Sequence, residues 1–401
     1  MKRDADNSLL EHPCGRGEVR PDHVHLHEPE GHSIMTLNAV RFLNTLHAIV
    51  LGVFILSLGV GLARAQDSQV QDSGTTSATG GAAGEIACTG RDLRPALGIE
   101  APDLLRRVRE EGARTPNGTG RLWRVTTPEG AVSHLYGTMH VSDPEVVALG
   151  AEAQSAYDGA SVVVIETVDI LDQQKAAAAL WAKPELMAFT DGTTLLDYMD
   201  DEEERVLAEA LEEQDMSLSA VKTIKPWILA GSLALPACER GAARDGFLDL
   251  QLARDAQAGG REVAGLETAL EQMEAIASLP LDMHIDSLIE SARMGSDLDD
   301  VFATMGALYS EGQIGEIWPF LRALSEHMVE EGADTEMDEG MIAAFDEAIV
   351  TRRNHTMAER SEPLLAEGGA FIAVGALHLP GEEGLVALLR ARGHDIEMIA
   401  P

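Results

Sequence analysis

Two short stretches, set more than half a chain apart, share one form, and that likeness restricts the fold more than any other feature. The first is His134-Leu-Tyr-Gly137-Thr-Met-His140-Val-Ser-Asp143-Pro; the second is Phe371-Ile-Ala-Val-Gly375-Ala-Leu-His378-Leu-Pro380-Gly. In each, an apolar run with strand character ends at a glycine, and three residues later a histidine opens a loop. Glycine at a strand end lets the backbone turn or another group come close, so each histidine is expected at the rim of a sheet. The two imidazoles meet only if the two strands lie side by side.

The rest of the chain supplies the sheet. Residues 94–112 have a helical pattern, and Arg121–Thr127 and Ala131–Gly137 alternate around Pro128-Glu-Gly130, which predicts a β-hairpin. Asp143-Pro144 suits a helix start, with the helix running to about Ala156. Ser161-Val-Val-Val-Ile-Glu166-Thr is a continuous β-branched run, the mark of a strand covered on both faces, and it ends in a carboxylate that needs a partner or a cleft. From about 171 to 345 the pattern is helical, broken at Pro184, Pro226, Pro236, Gly259-Gly260 and Pro280. Within it Gly260–Thr268 is strand-like and ends in Glu267, after a helix that starts near Gly246 and carries Asp249. The acidic stretch Asp200–Glu204 reads as an exposed helix start and Trp227 as a core anchor. A helix through Arg353-Asn354 to Glu367, a strand Phe371–Gly375, a helix Gly384–Arg392 and a strand Asp395–Ile399 close the chain. The last strand–helix–strand unit predicts a parallel crossover. The fold class is α/β, a mixed central β-sheet with flanking helices and a large helical insertion.

Ahead of this domain, residues 48–63 form an apolar run preceded by Arg41 and followed by Ala63-Arg-Ala65, the layout of a secretory signal cleaved after Ala65. The expected organisation is a leader and signal over 1–65, with Met35 an alternative start, a flexible linker over 66–87 rich in Ser, Thr, Gly and Ala, and a domain over 88–401. The product is then periplasmic or secreted; a retained membrane anchor is the alternative. His23, His25, His27 and His32 precede the signal and receive no role. Export into an oxidising compartment makes a Cys88–Cys238 disulfide the expectation, with two separate thiols as the alternative. The net charge of −37 argues against nucleic acid as a partner and leaves membrane contact only to the signal segment, in transit.

His140, His378, Glu166 and Glu267 each follow a strand-like run, and groups at the carboxyl ends of strands line the usual crevice of open α/β sheets. Two neutral imidazoles with one or two carboxylates form a ligand set for Zn, Mn, Co or Fe with a position left for water. The same groups also support metal-free chemistry, in which a histidine paired with a glutamate moves a proton. Spacing does not choose between them. Arg353 suits either a substrate carboxylate or oxyanion, or a salt bridge to an acid of the site. Tyr136 and Thr138 are placed to orient His140, and His134 is expected to face solvent.

In order along the chain, Leu-Tyr-Gly137-Thr-Met-His140, Ile165-Glu166, Lys225-Pro226-Trp227, Gly265-Leu-Glu267-Thr268 with Glu271-Gln272, Arg353-Asn354 and Gly375-Ala-Leu-His378-Leu resemble the TraB/GumN family, related to the Tiki metalloproteases. Met357 departs from the pattern, standing where tryptophan is expected. The resemblance implies an active site of two Gly-x-x-His elements and a glutamate, with divalent-metal-dependent peptide hydrolysis in the Tiki branch and a core similar to erythromycin-esterase and haem-binding ChaN proteins. Carried over, it places His140, Glu166 and His378 first, as metal ligands or catalytic groups, with Glu267 and Arg353 beside them. The function expected is an exported hydrolase dependent on a divalent metal (Mn, Co or Zn), acting on a peptide or small molecule. The alternatives are a non-catalytic metal, haem or peptide-binding protein and a metal-free esterase-like hydrolase.

Overall fold

The computed structural model describes residues 88–236, 238–239, 246–327 and 339–400; the signal segment, the linker and the amino-terminal histidines lie outside them. Six strands form one sheet: β1 (Leu122–Thr126), β2 (Val132–Thr138), β3 (Val162–Ile165), β4 (Glu262–Gly265), β5 (Ala370–Gly375) and β6 (Asp395–Ala400). Their order is β4-β3-β5-β2-β1-β6. β4, β3, β5 and β2 run parallel, while β1 is antiparallel to both β2 and β6. The sheet is therefore mixed, as the sequence implies. β5 and β6 do run in the same direction, but β6 crosses over two strands to pair with β1 at the far edge.

The hairpin forms where Pro128-Glu-Gly130 stands: Gly130 has φ +91° and Thr127 N–H donates to Ala131 O at 2.9 Å. Only glycine takes that backbone angle without strain. The continuous apolar runs are explained by burial on both faces. Along β5, Ile372 and Val374 join a cluster with Val164, Met357, Leu385 and Leu389. Phe371 and Ala373 point the other way, into a cluster with Tyr136, Val163, Ile165, Leu248 and Leu252. Alternate residues of one strand serve opposite cores, so no position is free to be polar. Met357, in the place of an expected tryptophan, is fully buried in the first cluster.

Two helical readings are refined. The pattern over 94–112 is two helices, Arg94–Glu100 and Pro102–Gly112, because Pro102 starts a new one. The helix after Asp143 also divides, into Pro144–Val147 and Ala151–Asp158, with Asp143 accepting from Glu145 N–H at 2.8 Å as its cap. The long helical segment is real, but it is split by β4, which completes the sheet edge beside β3. Asp200 caps the exposed helix Asp201–Glu212, and Trp227 is buried with its Nε1 donating to Leu186 O at 3.1 Å. Among the described residues no helix is long and apolar enough to cross a membrane.

Candidate functional site

The parallel strands bring the four strand-end residues to one rim. β2 and β5 are direct neighbours, Thr138 opposite Gly375, so His140 and His378 leave the sheet side by side. Glu166 follows β3 and Glu267 follows β4 at the same carboxyl edge. His140, Glu166, Arg353 and His378 line one cavity of about 100 Å³. Its other walls are apolar, from Met305, Tyr309, Ile317 and Trp318 of the helical segment and from Ile349 and Val350 of the π-helical turn Asp346–Thr351. That turn leads straight into Arg353, whose Nη1 donates to Ile349 O at 3.3 Å.

The two glycines act by close approach, and each serves a residue other than its own histidine. A Cβ on Gly137 would lie 2.8 Å from Leu379 Cδ1 and 3.0 Å from Ala376 Cα, so the first glycine makes room for the turn that carries His378. A Cβ on Gly375 would lie 3.1 Å from Glu166 Oε1, and the Gly375 N–H donates to that oxygen at 2.7 Å. Neither residue has positive φ among the described glycines. Room for a neighbour is what they supply.

Glu166 is buried, and each of its oxygens accepts from at least one donor. Its Oε1 accepts from Gly375 N–H, and its Oε2 accepts from Arg353 Nη2 at 2.7 Å and Gln272 Nε2 at 2.9 Å. Burial alone pushes the carboxyl up; Arg353, then His378, His140 and the Gly375 N–H outweigh it and hold it at about 2. Glu267 sits behind Arg353, with both oxygens accepting from Arg353 Nε at 3.1 Å and Oε2 also from Nη2 at 2.7 Å. Arg353 thus takes the salt-bridge role considered for it, clamping two buried acids that would otherwise repel.

His378 is held in one tautomer. Asn354 Nδ2 donates to Glu383 O at 2.8 Å, which fixes the amide and leaves its Oδ1 to accept from His378 Nδ1 at 2.7 Å. The proton is on Nδ1, so the Nε2 lone pair faces Glu166 Oε1 across 3.9 Å. Burial, with the charges of Arg353 and His140, overcomes the pull of Glu166 and lowers the His378 pKa to about 3. The ring is neutral at ordinary pH.

His140 has different company. Its ring lies 4.9 Å from that of Phe247, and its Nε2 is 3.6 Å from Asp249 Oδ2. Asp249 Oδ1 accepts from Thr138 Oγ1 at 3.1 Å, while its buried Oδ2 has no hydrogen-bond partner among the described residues. Burial lowers the His140 pKa, but Asp249 and then Glu166 outweigh it, and the pKa is raised. Thr138 therefore supports Asp249, which in turn faces His140. Tyr136 instead stacks on Phe371 at 5.7 Å, within the core.

A family profile described as TraB/PrgY/gumN matches residues 121–398. The chain belongs to the TraB/PrgY/gumN family. Comparison with curated proteins and with solved structures finds no match. The matched span of this TraB/PrgY/gumN domain begins one residue before β1 and ends inside β6, so it takes in strands β1 to β5, the first part of β6 and every residue of the rim.

The donor chemistry of the rim suits a divalent cation. His378 Nε2 and Glu166 Oε1 face each other as two acceptors, and the orphaned Asp249 Oδ2 faces His140. These are two pairs rather than one cluster. Among the described residues, the one trio of possible ligand atoms within 4.8 Å of one another is Cys88, Cys238 and Glu239, and those sulfurs are joined as a disulfide. Asp249, Asn354 and Gln272 received no site role from the sequence. An acid inside the apolar run Phe247–Leu250 was the available signal for Asp249; Asn354 and Gln272 were visible only as neighbours of Arg353 and Glu271.

Proposed function

We propose that this chain is an exported metal-dependent hydrolase, most plainly a peptidase, working at the strand-end rim. What carries the reading is His378 Nε2, a lone pair fixed by Asn354, facing the ionised Glu166 across 3.9 Å. Two electron-pair donors with no proton between them in a buried cleft invite a cation, and donor atoms each about 2 Å from a common ion fall near this separation. The candidate ligands are His378 and Glu166, with His140 and Asp249 completing the set. A divalent ion held there, Mn, Co or Zn, would supply Lewis acidity toward a substrate carbonyl. Glu166, held at about 2, is too weak a base to keep a proton and serves as ligand. Glu267 acts through Arg353, keeping the guanidinium where it grips Glu166 and faces the cavity. The apolar walls suit an uncharged group of the substrate next to the reacting bond.

Export is supported by the Cys88–Cys238 bond, which belongs to an oxidising compartment, and by the signal pattern ending at Ala65. A periplasmic or secreted product follows, with a retained membrane anchor as the alternative. The deciding experiment is elemental analysis of the purified mature chain beside His378→Ala, Glu166→Gln and His140→Ala, with peptide hydrolysis followed before and after chelation. Stoichiometric metal in the wild type and its loss in all three variants is expected. Equal metal in all forms would defeat the reading. The His140–Asp249 pair favours one second reading, a metal-free hydrolase, and hydrolysis that survives exhaustive chelation would select it.

A further inference from the structure

His140 lies on an irregular loop between β2 and Pro144, and a residue far along the chain holds that loop. Ser142 N–H donates to both oxygens of Glu239, at 2.9 and 3.1 Å, and Ser142 Oγ donates to Oε2 at 2.8 Å. Glu239 is 3% exposed and Ser142 half-buried, so the bonds are partly screened from water, and leaving a buried carboxylate without them is costly. Its own N–H donates to Pro236 O at 2.9 Å, and the residue before it, Cys238, is bonded to Cys88. Phe247 and Asp249, a little further along, meet the His140 ring from another side. The His140 loop is thus framed by Glu239 at its backbone and by Phe247 and Asp249 at its ring.

The disulfide ties this frame to the cavity wall. Arg91, three residues after Cys88, is anchored on Asp300: its N–H donates to Oδ1 at 2.7 Å and its Nη2 to Oδ2 at 3.0 Å. Asp300 belongs to the helix Asp297–Ser310, which also presents Met305 and Tyr309 to the cavity. The connection runs from that helix through Arg91 and Cys88 to Cys238, Glu239, Ser142 and His140. We propose that Glu239 is a positioning residue for His140 and that the Cys88–Cys238 bond fixes Glu239, so the rim is complete only in the oxidised chain. That this positions a metal ligand rests on the function proposed above; the mechanical link does not.

The test is hydrogen exchange resolved to single amides, on the mature chain with its disulfide intact and after reduction. Cys88 is exposed, so a phosphine reductant reaches the bond. The bond takes up two electrons and two protons to give two thiols, and the phosphine becomes its oxide with oxygen from water. The Ser142 amide is expected to exchange about tenfold faster or more after reduction and in Glu239→Ala, the size of one charge-assisted hydrogen bond. Gly137 N–H, which donates to Arg121 O at 2.8 Å, should keep its rate and serves as the control. Glu239→Gln should keep most of the protection, since its amide oxygen still accepts. An unchanged Ser142 rate in the reduced chain, or equal acceleration at Gly137, would overturn the proposal. Zn(II) titrated in parallel separates the two claims. Binding weakened about tenfold in Glu239→Ala, with its disulfide intact so that no thiol pair competes for the ion, supports both, whereas a wild type that binds none removes the metal reading while the exchange rates still decide the positioning.

Discussion

The two Gly-x-x-His elements are alike in sequence and lie on paired neighbouring strands, yet their histidines live in different surroundings. His378 follows its glycine in a 3₁₀ turn, donates to an amide oxygen and stays neutral beside an arginine. His140 sits on an irregular loop, faces a carboxylate oxygen with no hydrogen-bond partner among the described residues and is drawn toward its charged form. The motif fixes where a histidine leaves the sheet. What the histidine can do is set by groups that arrive from other parts of the chain.

The largest effect should come from the residue that does most to separate the two sides. Arg353→Ala leaves Glu166 and Glu267 buried without their cation, and a loss of about 3–5 kcal/mol in a urea unfolding curve is expected. A loss below about 1 kcal/mol would mean that Gln272 and the Gly375 N–H suffice without it. Next comes the side-specific support. Asn354→Ala frees the His378 tautomer and should weaken metal binding about 10–100-fold, while Thr138→Val, which removes only the donor to Asp249, should do less. Equal losses in a competition assay would erase the proposed asymmetry. Third, Gly137→Ala lies in the first element but should injure the second, by about 1–3 kcal/mol of thermal stability, because its Cβ strikes Leu379 and Ala376. A crystal structure showing the His378 turn unmoved would break that link.

The smallest and most discriminating effect is pH dependence. His378 has a folded pKa of about 3 against an ordinary 6.5, so the unfolded chain binds more protons between those values. Its contribution is present above 6.5 and is lost as pH falls toward 3. Glu166 acts in the same sense, losing its contribution as pH falls from 4.5 through about 2. His140 has the opposite sign. With its pKa raised above 6.5, its contribution is present below that value and fades as pH rises through the folded pKa. His378→Gln should therefore flatten the acid limb of the stability curve and His140→Gln the limb that falls as pH rises above 6.5. Both variants altering the same limb would show that the two rings share one environment.

The legible part of the site was the part written in local pattern. Strand β5 could be read because every residue from Phe371 to Val374 is apolar, and Glu166 stood out because a charge ends such a run. Arg353 was visible as a candidate, but its choice between substrate and salt bridge was not, because Glu166 and Glu267 reach it from β3 and β4. Asp249 was passed over as a helix residue, since nothing near it in the chain shows that its free oxygen ends beside His140. Glu239 gave no signal at all; its partner Ser142 lies 97 residues earlier in the chain.

The sequence by itself determined the class of fold, the hairpin, the two strand-end histidines and the family, because apolar periodicity and turn residues act over a few neighbours and carry their own physical cause. Tertiary structure alone decided that β5 lies between β2 and β3, that the acids of β3 and β4 share one arginine, and that the two histidines are shifted in opposite directions. Those outcomes depend on burial and on distances between residues far apart in the chain. Electrostatic energies at such contacts are fixed only once the chain has closed around them.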